Sequence, residues 1–457
     1  VAEQDATSQT TQTRTPVPHF VKARHEFRGM RTAEHYFTVP LDHFAPGSGD
    51  DAEAITVFAR EYVSSAHTQA EAEELPWLVF LQGGPGGRGN RLASLGGWSK
   101  AAARDFRILM LDQRGTGLST PLDRNTLAAR GTAEAQAAYL EHFRADSIVA
   151  DAELIRAALG SGPWSIYGQS YGGFCALTYL SFAPDGLKEA LITGGLAPLA
   201  GHADDVYRAT FARVAARNTE YFSWYPEDRR TVNAIASHLR QAEEFLPDGG
   251  RLTVERFQMV GSFLGGNTRV DGLHYLLEDA FTETPQGNLS DAFLEQVQGI
   301  VSRLANPLYA LLHESIYGQG QATDWAAWRV LQENPAFHPD AEALLLTGEM
   351  VYPWYFEQDP ALVPLRQVAH LLAAKTDWKP LYDPAQLAAN SVPVAAAVYQ
   401  DDIYVDRSLS MDTAAAVRGL RVWETADFHH DGIADDGEAI FGRLLGMVRS
   451  VAGSAGS

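Results

Sequence analysis

Residues 164–182 read WSIYGQSYGGFCALTYLSF. WSIYG (164–168) is a short apolar run of the kind buried on both faces of a parallel sheet, and Gly172–Phe182 reads as helix. Between them stands Gly168-Gln169-Ser170-Tyr171-Gly172-Gly173. A G-x-S-x-G between strand and helix makes a sharp turn, because the glycines let the two elements approach and leave the serine hydroxyl exposed. In a chain with 40 glycines the bare pattern arises by chance. The strand–turn–helix context and the additional Gly173 are what mark Ser170 as a nucleophile.

Working outward, similar apolar runs occur at WLVFLQ (77–82), RILMLD (107–112) and EALITG (189–194), with helical stretches at Ala133–Arg144 and Ser147–Leu159. Strands alternating with helices predict a parallel sheet covered on both faces. Upstream, HYFTVPLDHF (35–44) and AITVFAREYV (54–63), separated by the turn cluster PGSGDD, predict an antiparallel pair opening the sheet. Between about 200 and 376 the pattern turns helical and aromatic-rich, as in VYRATFARVAARNTEYF and RTVNAIASHLRQAEEFL. Strands return at PVAAAVY (393–399) and LRVWET (420–425), before a final helix near Glu438–Val451. The expected organisation is a mobile tail over 1–18, a first core part over 19–199, a helical cap over 200–376 and a second core part over 377–457.

Composition agrees with one large globular enzyme: 457 residues, 46% hydrophobic and 20% charged, with ample material for a packed interior. The net charge of −21 would repel phosphate backbones, so nucleic acid is not an expected partner. Cys175 is the single cysteine, which excludes an intrachain disulfide and a cysteine-based zinc site. No apolar run approaches the ~18 residues of a membrane-spanning helix. The polar N-terminal stretch lacks the basic-then-apolar order of a signal peptide. The expectation is a cytoplasmic, soluble protein that does not bind membranes.

A serine nucleophile needs an oxyanion hole and a base. Gln82-Gly83-Gly84-Pro85-Gly86-Gly87 follows the strand WLVFL, where half of such a hole is built, and the expected donors are the N–H groups of Gly84 and Tyr171. Gly84-x-Gly86-x-x-Gly89 also matches a dinucleotide fingerprint, but Pro85 removes an N–H and strands precede the motif, so no cofactor is expected. In the order Ser…Asp…His, the base comes from His429 or His430 after the last strand, and the acid from Asp401 or Asp402 after the strand PVAAAVY.

GGPGG (83–87), DQRGTGLS (112–119) and GQSYGG (168–173) together resemble the longer branch of the proline iminopeptidases, serine exopeptidases of the α/β-hydrolase fold. The similarity runs from about Phe37 to the C-terminal helix, and DQRG-x-G-x-S is far more specific than G-x-S-x-G. The resemblance implies Ser170 as nucleophile, Asp402 as acid and His430 as base. It departs at Gln82, where the shorter branch carries His; a hole built from backbone N–H groups tolerates that change.

An exopeptidase recognises a cationic amine, and carboxylates can bind it while excluding the neutral amide of an internal bond. Glu314 in LLHESIY and Glu349 in LTGEMVYPW lie in cap segments resembling the longer branch, and both are expected amine ligands. Tyr352 and Trp354, in the aromatic run beside Glu349, are expected to line a pocket for a proline ring. His313-Glu314 does not begin a zinc motif, since Tyr317 stands where H-E-x-x-H needs histidine, and no metal is expected. Cys175 is expected to be a buried packing residue. The implied activity is release of N-terminal proline from peptides through an acyl-enzyme. The rival readings are an esterase or amidase of small neutral compounds and a non-catalytic binding protein of the same fold.

Overall fold

A computed structural model of the chain describes residues 17–45, 52–282 and 287–450. Most of the expected tail and the turn cluster at 46–51 lie outside the described residues.

Among the described residues, nine strands form one sheet. They are β1 (His19–Phe27), β2 (Met30–Pro40), β3 (Ala54–Ser64), β4 (Trp77–Leu81), β5 (Arg107–Asp112), β6 (Trp164–Gln169), β7 (Leu187–Thr193) and, after a long insertion, β10 (Val394–Tyr399) and β11 (Leu420–Thr425). Inside the insertion, β8 (Glu244–Phe245) and β9 (Arg251–Leu252) make a separate small hairpin. The sheet order is β1-β2-β3-β5-β4-β6-β7-β10-β11. β1, β2 and β3 are antiparallel, β3 pairs antiparallel with β5, and the strands from β5 to β11 run parallel. This is the α/β-hydrolase fold.

Alternation along each strand sends side chains to opposite faces. On β4, Val79 and Leu81 join the larger core, while Leu78 and Phe80 join the smaller one. The smaller core is closed by helix Gly432–Arg449, through Ile440, Phe441 and Leu444, and by Trp98 and Ala102 of helix Gly97–Ala102. Helices Ala145–Ala158 and Tyr171–Phe182 cover the other face. Burial on both faces explains why β4, β6 and β10 are apolar without alternation.

β1 is absent from the sequence reading. HFVKARHEF is an edge strand, half or fully exposed along its length, and it is held by backbone pairing to β2 rather than by an apolar face. The insertion between β7 and β10 is mostly helical, beginning with Ala203–Trp224 and Pro226–Gln241. Buried Arg144 ties it to the core, donating from Nη1 to the carbonyls of Ser315 (2.9 Å) and Gly318 (2.6 Å) and from Nη2 to that of Lys379 (2.8 Å). No helix among the described residues is long and apolar enough to cross a membrane.

Candidate active site

Ser170 follows the carboxyl end of β6 with φ 83° and ψ −116°, a strained conformation for a side chain bearing Cβ. The surrounding packing holds it. Gly168 and Gly172 pass so closely that a Cβ on Gly168 would strike the Gly172 carbonyl, and one on Gly172 would strike that of Leu81. The Ser170 carbonyl is fixed by the N–H groups of Gly173 (2.8 Å) and Phe174 (3.2 Å).

β10 and β11 deliver the partners from the same edge of the sheet, where ligands of open α/β sheets bind. His430 Nε2 stands 2.9 Å from Ser170 Oγ, and His430 Nδ1 stands 2.8 Å from Asp402 Oδ2. A carboxylate only accepts, so Nδ1 carries the proton and Nε2 is the acceptor for the serine hydroxyl. The other Asp402 oxygen takes the N–H groups of Tyr404 (2.8 Å) and Val405 (3.0 Å), which fixes a side chain only 1% exposed. Within each adjacent pair one side chain joins this chain of hydrogen bonds and the other does not. His429 instead meets the carbonyl of Asp401 through Nδ1 (3.1 Å), and the exposed Asp401 carboxylate lies 3.7 Å from Arg213. Burial disfavours the His430 imidazolium, but the charge and hydrogen bond of Asp402, with Glu349 and Asp431, outweigh it and raise the ring to about 9.

The loop after β4 lies beside the serine: a Cβ on Gly83 would stand 3.1 Å from that of Ser170. Tyr171 opens helix Tyr171–Phe182, so its N–H has no acceptor within the helix. Among the described residues, none accepts the N–H of Gly84 or of Tyr171. The DQRG segment explains itself here as loop support. Gln113 Nε2 donates to the Gln82 carbonyl (3.0 Å), and Asp112 Oδ1 accepts the N–H of Gly89 (3.0 Å), pinning the loop at both ends. Arg114, 1% exposed, pairs with Asp151 and also donates to the Leu41 and His142 carbonyls.

A cavity of about 480 Å³ opens over Ser170 and His430. The core contributes Gln82, Gly83, Gly84 and Gln169, and the insertion contributes Phe263, Arg269, Arg303, Tyr309, Glu349 and Tyr355. A narrow recess bounded by Tyr207, His313 and Tyr317 shares Glu349 and Tyr404 with it. Tyr309 Oη donates to Glu349 Oε2 (3.2 Å), and burial raises the Glu349 carboxyl to about 7 against the opposing pull of His430.

Three expectations need correction. Glu314 lines neither the cavity nor the recess; its two oxygens accept the N–H groups of Ala326 (3.1 Å) and Ala327 (2.9 Å), capping the short helix Ala326–Leu331. Tyr352 and Trp354 stack on each other at 5.4 Å and line a separate cavity of about 90 Å³ with Trp328. Side chains of the 347–355 segment face both ways, so Glu349, Met350, Val351 and Tyr355 line the catalytic cavity while Tyr352 and Trp354 do not. Arg269, Arg303, Tyr309 and Tyr404 were invisible in the sequence, because scattered residues converge here without a common motif. Among the described residues, Glu227, Asp228 and His274 are near enough together to share an ion, but they do not line the catalytic cavity.

A model of the alpha/beta hydrolase fold matches residues 76–251. The chain is 49% identical over 423 residues to a proline iminopeptidase of Aeromonas sobria, covering 92% of this chain and 97% of that protein. It is 35% identical to the proline iminopeptidase aneH of Aspergillus aculeatus, over 91% of this chain and 93% of the other. A proline iminopeptidase of Neisseria meningitidis matches at 32% identity over 117 residues, 26% of this chain and 32% of its own length.

Proposed function

The chain belongs to the proline iminopeptidase family, and on that premise we propose that it is a serine exopeptidase releasing N-terminal proline from peptides. The observation that carries the reading is the unbroken chain Ser170 Oγ–His430–Asp402, at 2.9 and 2.8 Å, facing a cavity that also holds the Glu349 carboxyl.

In this reading His430 Nε2 takes the proton of Ser170 as Oγ attacks the carbonyl carbon of the N-terminal residue. The N–H groups of Gly84 and Tyr171 receive the oxyanion, the latter aided by the positive end of its helix. His430 then gives the proton to the departing amine, the C–N bond breaks, and an acyl-enzyme remains. Water enters by the same route in reverse, with His430 again as base, and regenerates the free serine. Asp402 holds the tautomer and orientation of the ring throughout.

Glu349 is the ligand we assign to the substrate's ammonium group. The aromatic and apolar residues around it, Tyr207, Tyr309, Tyr317 and Tyr404, suit a saturated five-membered ring, which carries no hydrogen-bonding group beyond the amine. Glu314 is assigned a positioning role, holding helix Ala326–Leu331 behind that wall. Residues 200–376 act as the cap that closes the site, between core parts 19–199 and 377–457.

A panel of aminoacyl p-nitroanilides tests the substrate class. Proline anilide should exceed the alanine and leucine anilides in kcat/KM, with labelling of Ser170 by a serine-directed phosphonate abolishing all turnover. A panel in which simple acyl esters are cleaved and no aminoacyl anilide is would place the protein among small-molecule esterases instead.

A further inference from the structure

The insertion holds another cavity, of about 90 Å³, walled by the rings of Trp328, Tyr352 and Trp354. Tyr352 stacks on Trp354 with centroids 5.4 Å apart, and Trp328 meets Tyr352 edge-on at 6.2 Å. Polar groups stand among these rings without partners. Among the described residues, none bonds to Trp354 Nε1, Tyr352 Oη, Thr347 Oγ1 or His338 Nε2, and all four atoms are buried in side chains that line this one cavity. Tyr352 is 2% exposed and Thr347 4%. A buried polar group without a hydrogen bond is costly, so four around one space point to an occupant that satisfies them.

The walls are held by the chain itself. Gln258 Nε2 donates to the carbonyls of Phe337 (2.9 Å) and Leu345 (2.8 Å), and the Thr347 N–H donates to the Gln258 carbonyl (3.0 Å). Two of these walls also back the catalytic cavity. Met259 and Phe263 line it from the segment that follows Gln258, and Glu349 and Val351 from the segment that follows Thr347.

The lining dictates the chemistry of an occupant. The indole N–H of Trp354 can only donate, and the hydroxyls of Tyr352 and Thr347 can donate too, so they suit an acceptor such as a carboxylate. Half-buried Glu255, on the same lining, suits a cation, and aromatic faces also attract ammonium groups. We propose that this cavity binds a small free α-amino acid as its zwitterion, independently of the reaction next to it. The ammonium lies at Glu255 and the ring faces, and the carboxylate at Trp354, Tyr352 and Thr347. The volume takes roughly three waters at about 30 Å³ each, a bulk near that of glycine or alanine and well below that of a dipeptide. Bound there, an amino acid braces from behind the segment that carries Glu349.

The test is calorimetric titration of glycine and of alanine into Glu349→Gln protein, whose catalytic cavity lacks its own carboxylate for an amine. One equivalent should bind saturably. Acetate and methylammonium, which keep one charge each, should bind at least about tenfold more weakly, since each forgoes one set of contacts. In the same background Thr347→Val and Trp354→Phe each remove one donor and keep an apolar body of similar shape, and Glu255→Gln removes the charge. Each should weaken glycine by about tenfold. No saturable binding, as for a cavity that takes only water, would overturn the proposal. So would binding that all three variants leave unchanged, or acetate binding as tightly as glycine.

Discussion

The side-chain amide of Gln113 donates to the main-chain carbonyl of Gln82 at 3.0 Å, although the two residues belong to different motifs. Through this bond the DQRG segment reaches under the loop that carries Gly83 and Gly84. Gln113 is 1% exposed and lines no part of the cavity, so its influence on chemistry passes through the loop.

Gln113→Ala should therefore lower kcat by roughly tenfold with little change in KM, since the oxyanion is bound in the transition state and not in the ground state. Gln113→Glu should be worse, because a carboxylate would face a carbonyl with no proton to share. Steady-state kinetics on proline anilide checks both, and a loss confined to KM would contradict the loop-support role.

The acid and base make a sharper comparison. His430→Ala should abolish turnover by several orders of magnitude while His429→Ala keeps most of it, and Asp402→Asn should cost far more than Asp401→Asn. The measurement is kcat for the four variants. Equal losses within either pair would contradict the geometry, in which His430 reaches Ser170 and Asp402 reaches His430, while His429 and Asp401 do neither.

The pH profile follows from the charges around His430. Its imidazole must be neutral to accept the serine proton, and it is raised to about 9. The acid limb of kcat/KM should thus lie well above the ordinary histidine value near 6.5. Glu349 is among the groups raising it, so Glu349→Gln should move the limb toward lower pH, read with an ester that needs no amine contact. A limb that stays in place would show that the two charges do not interact.

Glu314 should register in stability. Glutamine there would turn an NH₂ group or leave one acceptor short against the N–H groups of Ala326 and Ala327, at a cost of about 1–3 kcal/mol. Burial also raises its carboxyl to about 7, above the usual value of 4.5. The folded state then holds its proton more tightly than the unfolded chain, so this group's contribution is fully present below about 4.5 and is lost as pH rises through about 7. Thermal unfolding between pH 5 and 7 should show a falling Tm in the parent and a flatter profile in Glu314→Gln. A Tm unchanged by the substitution would contradict the capping role.

Much of this was legible in the residues. The strands β4 to β7 and β10 announce themselves as apolar runs because both faces are covered, and the nucleophile turn needs glycines that leave a visible spacing. β1 was not legible, since an exposed edge strand is held by backbone bonds that any side chain permits. At the site, Ser170 carried a local signature, whereas the decision between His429 and His430 lay in which ring turns inward. Glu314 and Glu349 look alike in sequence, each beside apolar and aromatic residues. Only packing shows that one caps a helix and the other enters the cavity. Tyr352 and Trp354 failed for a related reason, since neighbours in a turning segment point to opposite sides. Arg303, Arg269 and Tyr309 offered no signal, because residues far apart in the chain converge on the cavity only in three dimensions.

The most direct test of the central claim is a comparison of proline p-nitroanilide with its N-acetyl counterpart, in the parent and in Glu349→Gln. The account predicts that the parent cleaves the free amine and scarcely touches the blocked form. It also predicts that Glu349→Gln loses about ten- to a hundredfold in kcat/KM on the free amine, the worth of one charge-assisted hydrogen bond of roughly 1.5–3 kcal/mol. Equal cleavage of the free and blocked anilides by the parent would contradict it.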